Sequence, residues 1–197
     1  MVENLSWNEK KILLHIARDA LTHAVQQKTN PELKLKKLPR QIQNKGASFV
    51  TLTINGNLRG CIGSIEAVEP LAADVRRHAV DAGLSDPRFP PVEPDELEAI
   101  LIEISILTTP LPLECPDPAA RADCLKPGID GVLIRSGIQR STFLPQVWEK
   151  LPEPEQFLEY LCQKAYLPPQ AWKQADVELL TYQVIHFDEE LLTSSSE

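Results

Sequence analysis

Two hydrophobic periods alternate along this 197-residue chain. Ser6-Trp7-Asn8-Glu9 has the S-x-x-E form of a capping box, and Ile12, Ile16, Ala20 and Ala24 follow at four-residue spacing, which predicts a helix over 7–26. A polar, lysine-rich connection between Pro31 and Pro39 separates it from two alternating runs, 49–54 and 58–65. They are joined at Asn55-Gly56-Asn57 and read as a hairpin. Pro70 opens a second helix whose Leu71, Val75, Ala79 and Ala82 share one face and which Gly83 ends, before a proline-pinned loop over 84–94. Ile100, Ile102, Ile104 and Ile106 mark one face of a mostly buried strand, and 110–118 is extended and irregular. A hairpin over 131–144 turns at Ser136-Gly137, and a helix over 154–165 carries Phe157, Leu158, Leu161 and Cys162 inward. One long strand covers 177–187, and the tail 193–197 frays. Strands and helices do not alternate regularly, so the pattern predicts an α+β fold with a largely antiparallel sheet flanked by helices.

The first hairpin is the most informative segment. A two-residue turn would set Val50 opposite Cys61 and Leu52 opposite Arg59. A three-residue turn instead sets Ile54, Leu52 and Val50 opposite Leu58, Gly60 and Ile62, and puts Arg59 and Cys61 on the other face, opposite Thr53 and Thr51. The cleaner separation of apolar from polar side chains selects the three-residue register. Arg59 and Cys61 are then spatial neighbours, and Gly60 and Gly63 open the backbone to a ligand or to another chain segment. An arginine beside a thiol favours the thiolate, which makes Cys61 a candidate nucleophile. Strand cysteines and glycines serve core packing equally well, and that reading stays open.

Composition narrows the setting. Hydrophobic residues make up 43% and charged residues 24%, with a net charge of -8, a balance that argues against a nucleic-acid binder. Between Glu32 and Glu66 there are bases and no acid, whereas the chain from Glu149 onward is acidic. A local positive field for an anion, or two solvated faces, both fit. No apolar run reaches membrane-spanning length, and Cys61, Cys115, Cys124 and Cys162 form no C-x-x-C pair. Free thiols in a reducing, cytoplasmic compartment are expected. His15, His23, His78 and His186 are scattered without metal-site spacing; His78, beside Arg76 and Arg77, reads as a surface residue.

Leu58-Arg59-Gly60-Cys61-Ile62-Gly63 resembles the LRGCIG hexapeptide of the AMMECR-type domain family, whose prokaryotic members are called AmmeMemoRadiSam protein A. Phe49-Val50-Thr51-Leu52, Asp86-Pro87-Arg88-Phe89, Glu103-Ile104-Ser105, the segment 128–131 and Leu144-Pro145-Gln146-Val147 resemble further family signatures in order. Lys164-Ala165-Tyr166-Leu167-Pro168 is similar to the closing K-A-G-L-P element, with tyrosine where glycine is usual. The resemblance implies a single AMMECR-type domain over 1–197, with a larger lobe built from both chain ends and a smaller lobe beside it. It implies no settled activity and suggests Memo-type and radical-SAM proteins as partners; no cofactor is expected.

Asp86 and Arg88 form the second constellation. Pro87 stiffens their loop, so Arg88 is aimed by rigid backbone toward a carboxylate or phosphate, or pairs with Asp86. Glu103, alone in an apolar strand, either is solvated or needs a partner such as Arg59 or Arg88. Two functions follow. One is an enzyme or binder of a small anionic ligand using Arg59, Gly60, Cys61, Gly63, Asp86 and Arg88. The other is a non-catalytic partner protein whose motif holds backbone shape. The first expects Asp86 and Arg88 within reach of the Cys61 strand. It also expects the arginines to lower the thiol pKa.

Overall fold

The computed structural model describes residues 5–190, so the predicted frayed tail lies outside the described residues. The chain divides into two compact units: one runs through Leu107 and resumes at Ile185, and the other comprises Thr108–Val184. This is the α+β organisation, with a larger unit made from both chain ends, that the resemblance implied.

In the larger unit, α1 (Trp7–Val25) starts at Ser6, whose side chain accepts from the Glu9 amide while the Glu9 carboxylate reaches back to the Ser6 amide. Its buried face is Leu13, Leu14, Ala17, Ala20, Leu21 and Val25. Ile12 and Ile16, predicted to be central, lie at its margin. The error has a simple source: apolar residues at 12, 13, 14, 16 and 17 offer two overlapping helical faces, and packing selects the one holding Leu13, Ala17 and Leu21. A short helix α2 (Arg40–Gln43) leads into β1 (Lys45–Ile54), β2 (Asn57–Gly63), the two-residue β3 (Glu69–Pro70) and α3 (Leu71–Leu84). Gly83 lies inside α3 rather than beyond it; a side chain there would overlap Leu21 of α1, so this glycine serves helix packing. After β4 (Ile100–Leu107), the chain leaves this unit and returns as β9 (Val184–Asp188). The sheet order is β2-β1-β4-β9, with β3 also paired to β1. Val50, Leu52, Ile102, Ile104, Ile106 and Phe187 face the helices and form the core with Leu13, Leu21, Val75 and Ala79. Arg18 of α1 binds the Glu189 carboxylate, which also accepts from the Ile102 amide at 2.8 Å and so fastens the returning chain to β4.

The smaller unit holds β5 (Leu111–Pro112), β6 (Gly131–Ser136), β7 (Gln139–Phe143), α4 (Pro154–Lys164) and β8 (Glu178–Tyr182), with sheet order β5-β8-β6-β7. Its core gathers Val132, Ile134, Trp148, Phe157, Leu161 and Trp172. The β6–β7 turn is Gly137-Ile138, one residue later than predicted. The long strand expected over 177–187 is two strands in two sheets. Gln183 exchanges backbone and side-chain hydrogen bonds with Thr108 instead of continuing a ladder, and the chain changes sheet there. Cys115 and Cys124, expected as free thiols, form a disulfide with their Cα atoms 6.1 Å apart.

Candidate functional site

The β1–β2 hairpin combines both registers weighed for it. Asn55 and Gly56 adopt positive φ in a two-residue turn, with Ile54 opposite Asn57 and Thr53 opposite Leu58. The register then shifts, so Leu52, Thr51 and Val50 face Gly60, Cys61 and Ile62, the pairing expected of the longer turn. Arg59 is the extra residue of this bulge and does not face Thr53. The physical reason is that Asn-Gly favours the tight turn while burial fixes the register farther along; one bulged residue reconciles them. Cys61 stands opposite Thr51, whose hydroxyl donates to its sulfur at 3.2 Å.

The bulge re-aims Arg59. Its guanidinium forks onto Glu96 (Nε–Oε1 2.7 Å, Nη2–Oε2 2.9 Å) and donates to the carbonyls of Pro90 and Pro91. The Glu96 carboxyl is held below its usual range by this arginine, against the opposing effect of burial. Arg59 therefore clamps the 90–96 segment to β2. The space opened by Gly60 is taken by the Ala82 carbonyl of α3, and that opened by Gly63 by the Phe49 ring and the Ser48 carbonyl. Both glycines permit close packing of the protein on itself.

Asp86 and Arg88 do reach the Cys61 strand. The Asp86 carboxylate, buried to 2% exposure, accepts from the Cys61 amide at 2.8 Å and the Arg88 amide at 3.1 Å. It also takes Arg88 Nε at 2.9 Å and Nη2 at 2.6 Å, and Nη2 donates onward to the Cys61 carbonyl at 3.2 Å. The Arg88 fork, aided by the two amides, holds the Asp86 carboxyl far below the carboxylate range despite its burial. The Arg88 side chain remains 54% exposed.

Contrary to expectation, the Cys61 thiol is pushed up. Burial dominates, and the Thr51 hydrogen bond and the charge of Arg88 offset it only in part, while Asp86 and Glu103 act in the same direction as burial. Arg59 is turned away onto Glu96 and is not among the groups that act on the thiol. Glu103 finds its partner in neither arginine but in His186 of β9, Nδ1 at 3.3 Å. That hydrogen bond raises the His186 pKa. His78, expected at the surface, is buried against Asp74 at 3.2 Å, and Asp74 also accepts from Ser48 at 2.6 Å. The Asp74-x-x-x-His78 spacing on one helix face was the overlooked signal. Among the described residues, no group of three or more His, Cys, Asp or Glu is placed to hold a metal ion.

A hairpin carrying LRGCIG, latched to an Asp-Pro-Arg-Phe loop within this two-unit α+β architecture, can be compared with known proteins. The AMMECR1 family profile matches residues 14–187. The chain belongs to the AMMECR1 family. A relative from Methanothermobacter thermautotrophicus is 38% identical over 94% of this chain and 97% of its own length. Another from Methanopyrus kandleri is 34% identical over 96% of this chain and 93% of its own. The crystal structure of an uncharacterized protein from Pyrococcus horikoshii superposes with a TM-score of 0.82 at 33% identity, covering 96% of this chain and 95% of that one. None of these names states an activity for an AMMECR1 protein. No helix among the described residues is long and apolar enough to cross a membrane.

Proposed function

We propose that this AMMECR1 protein binds a small anionic ligand against Cys61 of its LRGCIG hairpin, in the cytoplasm, with Arg88 supplying the charge. The observation that carries this reading is the Arg88 fork. Asp86 fixes the guanidinium through Nε and Nη2 beside the Cys61 carbonyl, which leaves Nη1 for a ligand on a side chain that is still half exposed. A planar donor held rigid at the surface suits a carboxylate or phosphate. Arg59, Asp86, Gly60 and Gly63 act by positioning: they hold the loop and α3 against β2. Cys61 enters as a thiol at the ligand's edge, its pKa raised by burial.

The second reading, a non-catalytic partner of Memo-type and radical-SAM proteins, is favoured by that same commitment of Arg59, Gly60 and Gly63 to internal packing. Competitive alkylation separates the two. Iodoacetate carries a carboxylate and iodoacetamide does not, so an anion site at Arg88 raises the iodoacetate-to-iodoacetamide rate ratio at Cys61 above that of a free thiol. Arg88→Gln and Arg88→Lys, each checked for folding by circular dichroism, lower the ratio, and inorganic phosphate protects Cys61. A ratio equal to that of the free thiol, with no phosphate protection, removes the anion site and leaves the partner reading.

A further inference from the structure

The face of the larger sheet turned away from its helices carries a row of chemistry-bearing side chains drawn from four strands. Thr51 of β1 stands directly across from Cys61 of β2 on one side and from Glu103 of β4 on the other. Its hydroxyl donates to the Cys61 sulfur at 3.2 Å, and at the far end Glu103 holds His186 of β9 at 3.3 Å. The opposite pleat of these strands, Val50, Ile102, Ile104 and Phe187, is core. Strand alternation therefore forces the row outward together, and all four of its members keep some exposure.

The electrostatics of such a row are cooperative. A carboxylate two strands from a thiol opposes formation of a second negative charge, and an imidazolium bound to that carboxylate cancels the opposition. We propose that the Glu103–His186 pair controls the proton on Cys61. With the imidazole protonated the pair is neutral overall and the thiol ionises beside Arg88; with the imidazole neutral, the bare carboxylate holds the thiol protonated. The proposal rests on Cys61 being the centre of the site, and it makes His186 and Glu103 positioning residues for the chemistry there. The charged groups facing Cys61 are Asp86 and Arg88 from the loop and Glu103 from β4, and those facing His186 are Glu103 and Asp188. Among them His186 is the side chain of the type that ordinarily titrates near neutrality, and the Glu103 hydrogen bond moves its pKa upward.

The test uses neutral iodoacetamide, so its outcome is independent of any anion preference at Arg88. Alkylation of Cys61 is followed by mass spectrometry from about pH 5.5 to about pH 9.5, spanning the histidine and thiol ranges. The wild-type rate profile shows two inflections, the lower one from His186. Glu103→Gln moves the lower inflection to lower pH, because His186 loses its carboxylate, and raises the neutral-pH rate about three- to fivefold, the size expected for charges roughly 9 Å apart in a medium between protein and water. His186→Gln gives one inflection, displaced to higher pH, with a slower neutral-pH rate. His186→Lys, a permanent cation, restores fast reaction. In the unaltered protein, NMR titration of the His186 ring shows a second shift as Cys61 ionises. Variant profiles superimposable on wild type, or a ring titration blind to Cys61, overturn the proposal and leave the anion site untouched.

Discussion

Replacing Asp86 by asparagine tests the clamp beneath the site. The carboxylate accepts from the Cys61 amide, the Arg88 amide and two guanidinium nitrogens while itself buried. Asparagine keeps the shape and one acceptor oxygen but turns an NH2 group toward donors. The Cys61 amide can keep the oxygen; the guanidinium then meets a donor and leaves. Hydrogen bonds to a charged partner are worth about 1.5–3 kcal/mol when buried, and the exposure of Arg88 discounts its share to the surface-pair range of about 1 kcal/mol or less. Adding the lost charge on the buried amide contacts gives a cost of about 2 kcal/mol, or roughly 4–8 °C in melting temperature for a chain of this size. The sign with pH is fixed. The Asp86 pKa is depressed below its ordinary 3.8, so its contribution is fully present above that value and is lost as pH falls through the folded-state pKa. The gap between wild type and Asp86→Asn in urea unfolding is therefore constant from about pH 8 to about pH 5 and closes only in stronger acid. Amide exchange at Cys61 speeds up alongside. A loss below about 0.5 kcal/mol, within ordinary surface scatter, would show that Asp86 merely rests on β2.

Three further outcomes follow from packing and backbone geometry. Gly60→Ala drives a methyl into the Ala82 carbonyl of α3 and lowers stability by about 1–3 kcal/mol in urea unfolding, with α3 amides exchanging faster; an unchanged midpoint contradicts close packing at that point. Tyr166, at φ 59° and 90% exposed, closes α4 with the Leu167 amide bound to the Cys162 carbonyl, so Tyr166→Gly raises the thermal midpoint by the equivalent of about 0.5–1 kcal/mol. A destabilised glycine variant would show that the tyrosine ring contributes more than the strain it imposes. Cys115→Ser with Cys124→Ser, or reduction by dithiothreitol, costs about 2–3 kcal/mol of loop-closure entropy for a separation of 9 residues. That loss is read as faster proteolysis between β5 and β6, and no change on reduction counts against the bond.

The parts legible in the sequence were those governed by local periods. The alternating isoleucines of β4, the apolar stripes of α3 and α4, and the polar face of the first hairpin needed only spacing, and the hexapeptide needed only reading. The parts that were not legible depend on the chain returning to itself. Glu103 and His186 meet because β9 closes the larger sheet beside β4 after a whole second unit has intervened, and no local pattern encodes that neighbour. The fate of Arg59 turned on a single bulged residue, which decides between a free charge and one spent on Glu96. His78 was different: its carboxylate partner stands one helical turn away in the sequence, and only the two neighbouring arginines suggested solvent.

The Asp86–Arg88 pair also bears on how the molecule behaves among copies of itself. β2 ends its sheet, so nothing in the ladder answers the outward N–H and C=O of Cys61. An unanswered pair of that kind is a template on which a foreign strand can start to pair. The loop fills the vacancy with side chains in place of a strand: the carboxylate takes the N–H and the guanidinium caps the C=O of the same residue, reproducing the acceptor and donor a neighbouring backbone would offer. Losing the pair would thus do more than loosen a site, because it would bare the middle of a sheet edge to self-association. Concentrated solutions of Asp86 variants should reveal it as light scattering before they reveal it as unfolding.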